Sequence, residues 1–296
     1  MPRLTAADFH PEVLRLFDQY VHGAISRRGF LDSAQHYAVG GATAAGLLAA
    51  LSPDFAHAQQ VPPADSRIQA ASVEYPSPNG SGKMRGYLAK PARVQGKLPT
   101  VLVVHENRGL NPHIEDIARR LALADFIAFA PDALFPQGGY PGNEDKAREM
   151  FAKLEQPKTR ADFLAAAAVL KGLPEGNGKV GVVGFCWGGG IANWLATQLP
   201  DLGAAAPFYG PQPPADEAAK IKAPLLIHYA ATDERINAAA PAYEAALKSA
   251  GVTYEQHIYP NTQHGFNNDT TPRFDPEAAK LAWSRTVAFF DKHLRA

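Results

Sequence analysis

The sequence has a single cysteine among its 296 residues, which excludes a disulfide within the chain. With the ten histidines scattered, no Cys/His cluster has zinc-site spacing, so neither a metal nor a cofactor is expected. An excess of one charge is also missing. Lys+Arg and Asp+Glu both number 29 and the formal net charge is zero, so there is no field to recruit nucleic acid or an anionic membrane surface. No uncharged apolar run reaches the roughly 20 residues of a membrane-spanning helix, and no internal repeat is visible. What is present, 46% hydrophobic and 20% charged residues, is enough apolar material for a sizeable core.

The first 58 residues differ from the rest. "SRRGFL" (26–31) sets Arg27 and Arg28 before an apolar pair, and "YAVGGATAAGLLAAL" (37–51) follows as a small-residue, uncharged run. "SPDFAHAQQ" then offers Ala56-His57-Ala58, the A-x-A form of a signal-peptidase site. Basic pair, weakly apolar core and small-residue site resemble a twin-arginine export signal. The expectation is a leader over 1–58, cleavage after Ala58, and a periplasmic or secreted product with no membrane anchor once cleaved. Ahead of the arginines, Val13, Leu14, Phe17, Tyr20 and Val21 recur at helical spacing. This predicts an amphipathic helix over 8–23, with no role beyond targeting. Residues 59–67 read as a polar linker.

From 68 to 296 the pattern is one α/β domain. Opening strands "IQAASVEYPS" and "KMRGYLAKP" flank a "PNGSG" turn. The strands "PTVLVVHE", "FIAFAPD", "KVGVVGF", "GAAAPFYG", "APLLIHYA" and "TYEQHIYP" then alternate with helical segments, among them "PHIEDIARRLALA", a pair broken near Pro157, "GGIANWLATQL" and "PEAAKLAWSRTVAFFDKHL". Alternation of this kind predicts a mostly parallel sheet covered on both faces.

The cysteine, Cys186, falls at a strand-to-helix turn in "VVGFCWGGG", with Gly184 and Gly188 two residues to either side. Gly-x-nucleophile-x-Gly is the pattern of a nucleophile elbow, here with a thiol. The following helix points its N-terminus at the sulfur, which favours the thiolate. A nucleophile needs a base and the base an orienter. Asp233 follows the strand "APLLIHYA", and His264 follows "TYEQHIYP". Nucleophile, acid and histidine therefore come in the chain order of the α/β-hydrolase fold. His57, His228, His257 and His293 fit the base role less well, by position. Phe135, Tyr140, Trp187, Tyr209 and Phe266 are aromatic candidates for a substrate pocket, against a role in core packing.

"VVHENRGLN", "FAPDAL", "KVGVVGFCWGGG", "TDERI" and "QHGF" together resemble the dienelactone hydrolases (carboxymethylenebutenolidases), from about residue 74 to the last helix. The resemblance implies an α/β-hydrolase fold with Cys186, Asp233 and His264 as the catalytic triad. It implies that Glu106 contacts the resting cysteine, and that the backbone N–H groups of Trp187 and Asn107 form the oxyanion hole. Two arginines hold the substrate carboxylate in that family, and here the matching positions are Pro136 and Asn268. Arg108 is then the candidate to reach the pocket from elsewhere, Arg235 and Arg273 being expected as surface charges, with Phe266 and Tyr140 lining it. The expected substrate is a small-molecule ester or lactone, cleaved through an acyl-thioester, and not an anionic dienelactone. The alternatives are another acyl-transfer, thioesterase or phosphoester-hydrolase activity on the same scaffold, or a non-catalytic ligand-binding protein. The sequence does not give an oligomeric state.

Overall fold

The computed structural model describes residues 4–39, 41–56 and 59–295. Its elements in chain order are α1 (Pro11–Val21), α2 (Arg27–Ala34), α3 (Ala44–Leu51), β1 (Ile68–Ser77), β2 (Gly82–Pro91), β3 (Leu98–Val104), α4 (Pro112–Leu123), β4 (Ile127–Pro131), α5 (Glu144–Phe151), α6 (Gln156–Lys171), β5 (Gly176–Phe185), α7 (Trp187–Gln198), β6 (Ala204–Phe208), β7 (Leu225–Ala230), α8 (Glu234–Asn237), α9 (Ala240–Ser249), β8 (Tyr254–Tyr259) and α10 (Pro276–Leu294). Pro157 sits in the first turn of α6, where its missing N–H has no helical acceptor to lose. It therefore starts a helix at the position where the sequence indicates a break.

The eight strands form one sheet in the order β1-β2-β4-β3-β5-β6-β7-β8. The pairs β1/β2 and β2/β4 are antiparallel, and every pairing from β4/β3 to β7/β8 is parallel. This is an α/β-hydrolase fold. The inner strands β3, β4, β6 and β7 are buried almost throughout, as parallel strands covered on both faces must be. On one face Ile114, Ile117 and Leu121 of α4 and Phe289 and Phe290 of α10 join the core. On the other, Phe163 and Leu170 of α6, Ile191 and Leu195 of α7 and Leu247 of α9 form a second one. The register aligns Val104 with Gly184 and Phe185 with Phe208. The carboxyl ends of β3, β5 and β6 consequently open at one edge, where α/β sheets place their ligands.

The N-terminal helices are folded too. Val13, Leu14, Phe17 and Tyr20 of α1, Phe30 of α2 and Leu48 and Leu51 of α3 make a third apolar cluster. Each helix is capped by the residue before it: His10, Ser26 and Thr43 accept from Glu12, Gly29 and Gly46 N–H groups. The helix expected over 8–23 is thus present as α1, and its apolar stripe is its buried face. Arg27 pairs with Asp145 at 3.2 Å and Arg28 with Asp32 at 3.6 Å. Ala58, the expected cleavage residue, and His57 lie outside the described residues. No described helix is long and apolar enough to cross a membrane.

Candidate active site

Cys186 caps the N-terminus of α7 with φ 56° and ψ −117°. A non-glycine residue with positive φ is held there only by its surroundings. Its N–H donates to the Phe208 carbonyl at 3.0 Å, and its carbonyl accepts from Gly190. The flanking glycines permit this turn by their lack of side chains. A Cβ on Gly184 would stand 1.9 Å from the Gly188 carbonyl oxygen, and one on Gly188 only 2.3 Å from the Val104 carbonyl oxygen. Strand, turn and helix are in backbone contact, so the elbow is built on these two positions.

His264 lies beyond β8 and Asp233 just beyond β7, and parallel pairing of those strands brings the two together. His264 Nδ1 meets Asp233 Oδ2 at 2.5 Å. The other oxygen, Oδ1, accepts from Ile236 N–H at 3.3 Å and caps α8. The carboxylate thus acts as helix cap and histidine partner at once. His264 Nε2, at the far side of the ring, is buried close to Cys186.

The hydrogen bond at the sulfur comes from an unexpected direction. His22, just after α1, places Nε2 3.3 Å from Cys186 Sγ. Its ring stands edge-on to His264, with centroids 4.6 Å apart at 89°. His22 Nδ1 reaches the Asp18 carbonyl oxygen at 2.8 Å and Asp18 Oδ1 at 3.2 Å. Cys186 is therefore flanked by two Asp–His pairs, Asp233–His264 from the sheet and Asp18–His22 from the N-terminal module. One ligand atom from each of His22, Cys186 and His264 lies within 4.8 Å of the others. Spacing along the sequence could not reveal this trio, because one member comes from the N-terminal helices.

The electrostatics follow from these neighbours. Burial pushes the Cys186 thiol up, but the positive charge of His264 and then of His22 outweighs it and brings the thiol down to about 6. Burial works against protonation of His264, yet the Cys186 thiolate and Asp233 carry it up to about 10. For His22 burial again opposes charging, and the thiolate and Asp18 again prevail, so it too is raised. Its place at the C-terminus of α1 acts in the same direction.

The other predicted residues divide. Glu106 and Asn268 line a narrow space of about 40 Å³ beside Cys186 and His264, and Asn268 Nδ2 donates to Glu106 Oε2 at 2.7 Å. At a position where the resemblance implies an arginine, this chain has an amide that holds Glu106. Glu106 shares that space with Cys186, and His22 makes a hydrogen bond to the sulfur. Trp187 and Asn107 border a larger cavity of about 710 Å³ that also opens on Cys186. The Asn107 side chain is occupied, donating to the Val21 carbonyl at 2.8 Å.

Arg108 does reach the site, but its guanidinium donates to Val21 O at 3.1 Å and Asn107 O at 2.9 Å. Arg273 is not the surface charge expected: its side chain is 10% exposed and meets Asp18 at 3.4 Å. Arg235 is exposed and reaches His22 Nε2 at 3.2 Å. All three arginines thus grip the end of α1. Tyr140 is turned away, bonded to Glu144 at 2.8 Å and packed on Phe55 beneath α3. Phe266 is fully buried behind His264, among Phe208, Tyr209 and Tyr259, because the turn after His264 folds inward. Sequence reasoning missed His22 and Asp18. The signal available was their i, i+4 spacing at the end of a predicted helix, two polar groups on one face.

Comparison with known proteins identifies the family and the fold. The sequence profile of the dienelactone hydrolase family matches residues 84–294, and a family described as YqhI-like matches residues 1–40. A protein of Escherichia coli K12, provisionally named a carboxymethylenebutenolidase, is 31% identical over 263 residues, covering 84% of this chain and 95% of its own. Another from that organism, provisionally a hydrolase fragment called YghX, is 59% identical over 108 residues, 36% of this chain and 92% of its own. The crystal structure of a provisional dienelactone hydrolase from Klebsiella pneumoniae superposes with a TM-score of 0.68 at 31% identity, covering 76% of this chain and 99% of the other.

Proposed function

This chain belongs to the dienelactone hydrolase family and is a hydrolase of ester or lactone bonds, and on that premise we propose that Cys186 is its nucleophile, with His264 and Asp233 completing the triad. The observation that carries the reading is the elbow itself. A thiol is held at positive φ on the N-terminus of α7, lowered to about 6, and faces a histidine already bound to a carboxylate.

At neutral pH the sulfur is a thiolate beside an imidazolium. It attacks the carbonyl carbon, and the oxygen that gains charge is held by the N–H groups of Trp187 and Asn107. The first N–H groups of a helix have no internal acceptor and are free for such use. Each donor of this kind contributes about 2.7–4 kcal/mol to the transition state. Collapse expels the alkoxide and leaves an acyl-thioester. Water then attacks the thioester and the thiolate returns. In the minimal scheme His264 gives the alkoxide its proton and takes one back from water. Glu106, held by Asn268, keeps a carboxylate beside the entry to the thiol. With Arg108, Arg235 and Arg273 engaged by α1, the cavity favours an uncharged ester or lactone over an anionic one.

The order of residues 26–58 supports export by the twin-arginine machinery, which carries folded proteins and would move the thiol already enclosed. The triad is tested by hydrolysis of an aryl acetate by the full chain, wild type beside Cys186→Ala, with mass spectrometry for the acyl-enzyme. Loss of turnover and of the acyl adduct in the variant is the expected result. An equally active alanine variant removes Cys186 as nucleophile.

A further inference from the structure

Resting on that reading, we infer that His22 of the N-terminal module is a further catalytic residue, the acid that protonates the leaving alkoxide and the base that recovers the proton from water. The inference stands on geometry. Among the described residues, His22 Nε2 makes the hydrogen bond to Cys186 Sγ, at 3.3 Å. His22 also lines both spaces that open on the sulfur, the narrow one beside Glu106 and the broad one beside Trp187. Its other nitrogen is fixed by Asp18 and the end of α1, the carboxylate–imidazole pairing that Asp233 gives His264. A leaving oxygen expelled from a carbonyl bonded to Sγ departs within reach of Nε2.

His264 suits the thiolate better than the alkoxide. Its Nδ1 is locked to Asp233 and its proton is held chiefly by the thiolate and that carboxylate, so it serves to keep the resting sulfur ionised. His22 has a means of changing state. Protonated, Nε2–H points at the sulfur; neutral, Nε2 accepts from Arg235 at 3.2 Å. The groups facing it are Asp18 on its own helix, Cys186, His264 and Arg235, with Arg108 and Glu106 on the walls beyond.

The protons balance. Thiolate adds to the carbonyl carbon and a C–S bond forms. The C–O bond breaks, and the alkoxide takes the Nε2 proton, leaving neutral His22 and the alcohol. A water gives one proton to Nε2 as its oxygen bonds the thioester carbon. The C–S bond then breaks, freeing the acid and the thiolate, with His22 again protonated.

The test compares leaving groups on the full chain. p-Nitrophenyl acetate expels a phenolate that needs no proton, and ethyl acetate expels an ethoxide that does. With His22→Gln, acylation by ethyl acetate should slow about 100-fold, while the p-nitrophenolate burst from the aryl ester keeps its rate and the steady state behind it falls, since both esters leave the same acetyl-enzyme. Added imidazole should restore turnover in His22→Ala. Equal slowing of the aryl ester's burst and of acylation by ethyl acetate, without imidazole rescue, would make His22 structural. A gain on both would make α1 a plug. Either result overturns the inference and leaves the triad standing, whereas an active Cys186→Ala variant would remove the triad itself.

Discussion

His22 Nε2 lies 3.3 Å from Cys186 Sγ although 164 positions separate them in the chain. The thiol's ionisation therefore depends on two imidazoles from opposite ends of the sequence. Because its pKa is lowered to about 6, the thiolate is present above that pH and is lost as pH falls through it. Alkylation of the full chain by iodoacetamide should be half-maximal near pH 6. In His264→Gln the stronger of the two charges is gone, and the midpoint should move toward the ordinary thiol value of about 8.5. A midpoint that stays near 6 would show that His264 does not hold the thiolate.

Asp233→Asn separates the two duties of that carboxylate. Asparagine caps a helix as well as aspartate does, so the cap of α8 is kept and the melting temperature should change little. The amide cannot hold His264 in the same tautomer or balance its charge, and kcat should fall by about 10⁴. A variant that retains most of its activity would leave His264 without need of an orienter.

Most of the fold was legible because strand and helix periods in 68–296 are clean. All eight strands and the helices around them lie where the alternation of apolar runs and turns sets them. Cys186, Asp233 and His264 were legible for the same reason, each following a strand that ends at one edge of the sheet. Residues 1–58 were legible only as helix and composition. Val13, Leu14, Phe17 and Tyr20 gave α1 its period, but which surface that helix covers depends on long-range contacts. Val21 O is bonded to Asn107 and Arg108, and Asp18 to Arg273. No local pattern in residues 1–58 encodes them. Phe266 failed as a pocket residue because adjacency to His264 in sequence says nothing about which way the turn folds.

The elbow has no room for side chains. In Gly188→Ala the new methyl would meet the Val104 and His105 carbonyl oxygens at 2.3 and 2.5 Å, backbone atoms that cannot swing aside. Overpacking of this kind costs about 1–3 kcal/mol or more. Thermal unfolding should show a clear drop in melting temperature, with activity lost even in the folded fraction. Gly82→Ala is the control, since a Cβ there meets nothing within 4 Å, though its positive φ carries a smaller cost.

The His22–Cys186–His264 trio should also take up soft divalent metal. Thiolate and two imidazoles are the donor set zinc prefers, and their ligand atoms already lie within 4.8 Å of one another. Zinc ions should inhibit ester hydrolysis reversibly, with EDTA restoring the rate. His22→Gln removes one of the three ligands, and the inhibition constant should rise by at least about tenfold. Equal inhibition of both proteins would place the metal on Cys186 and His264 alone.

An export signal cleaved after Ala58 and a catalytic His22 would make opposite demands on residues 1–58. Cleavage after Ala58 would remove Asp18 and His22 together, and would uncover the Asn107 side chain and Arg108 and Arg273 that α1 now occupies. A catalytic His22 requires the leader to stay. Among the described residues the α2 arginines form exposed pairs with Asp145 and Asp32, each worth at most about 1 kcal/mol, which would leave them readable by an export machinery. Peptide mapping of the active protein, purified from each compartment of its cell, should recover the peptide containing His22. If the active form instead begins at Gln59 and still hydrolyses ethyl acetate, both protons pass through His264, and α1 serves the precursor alone.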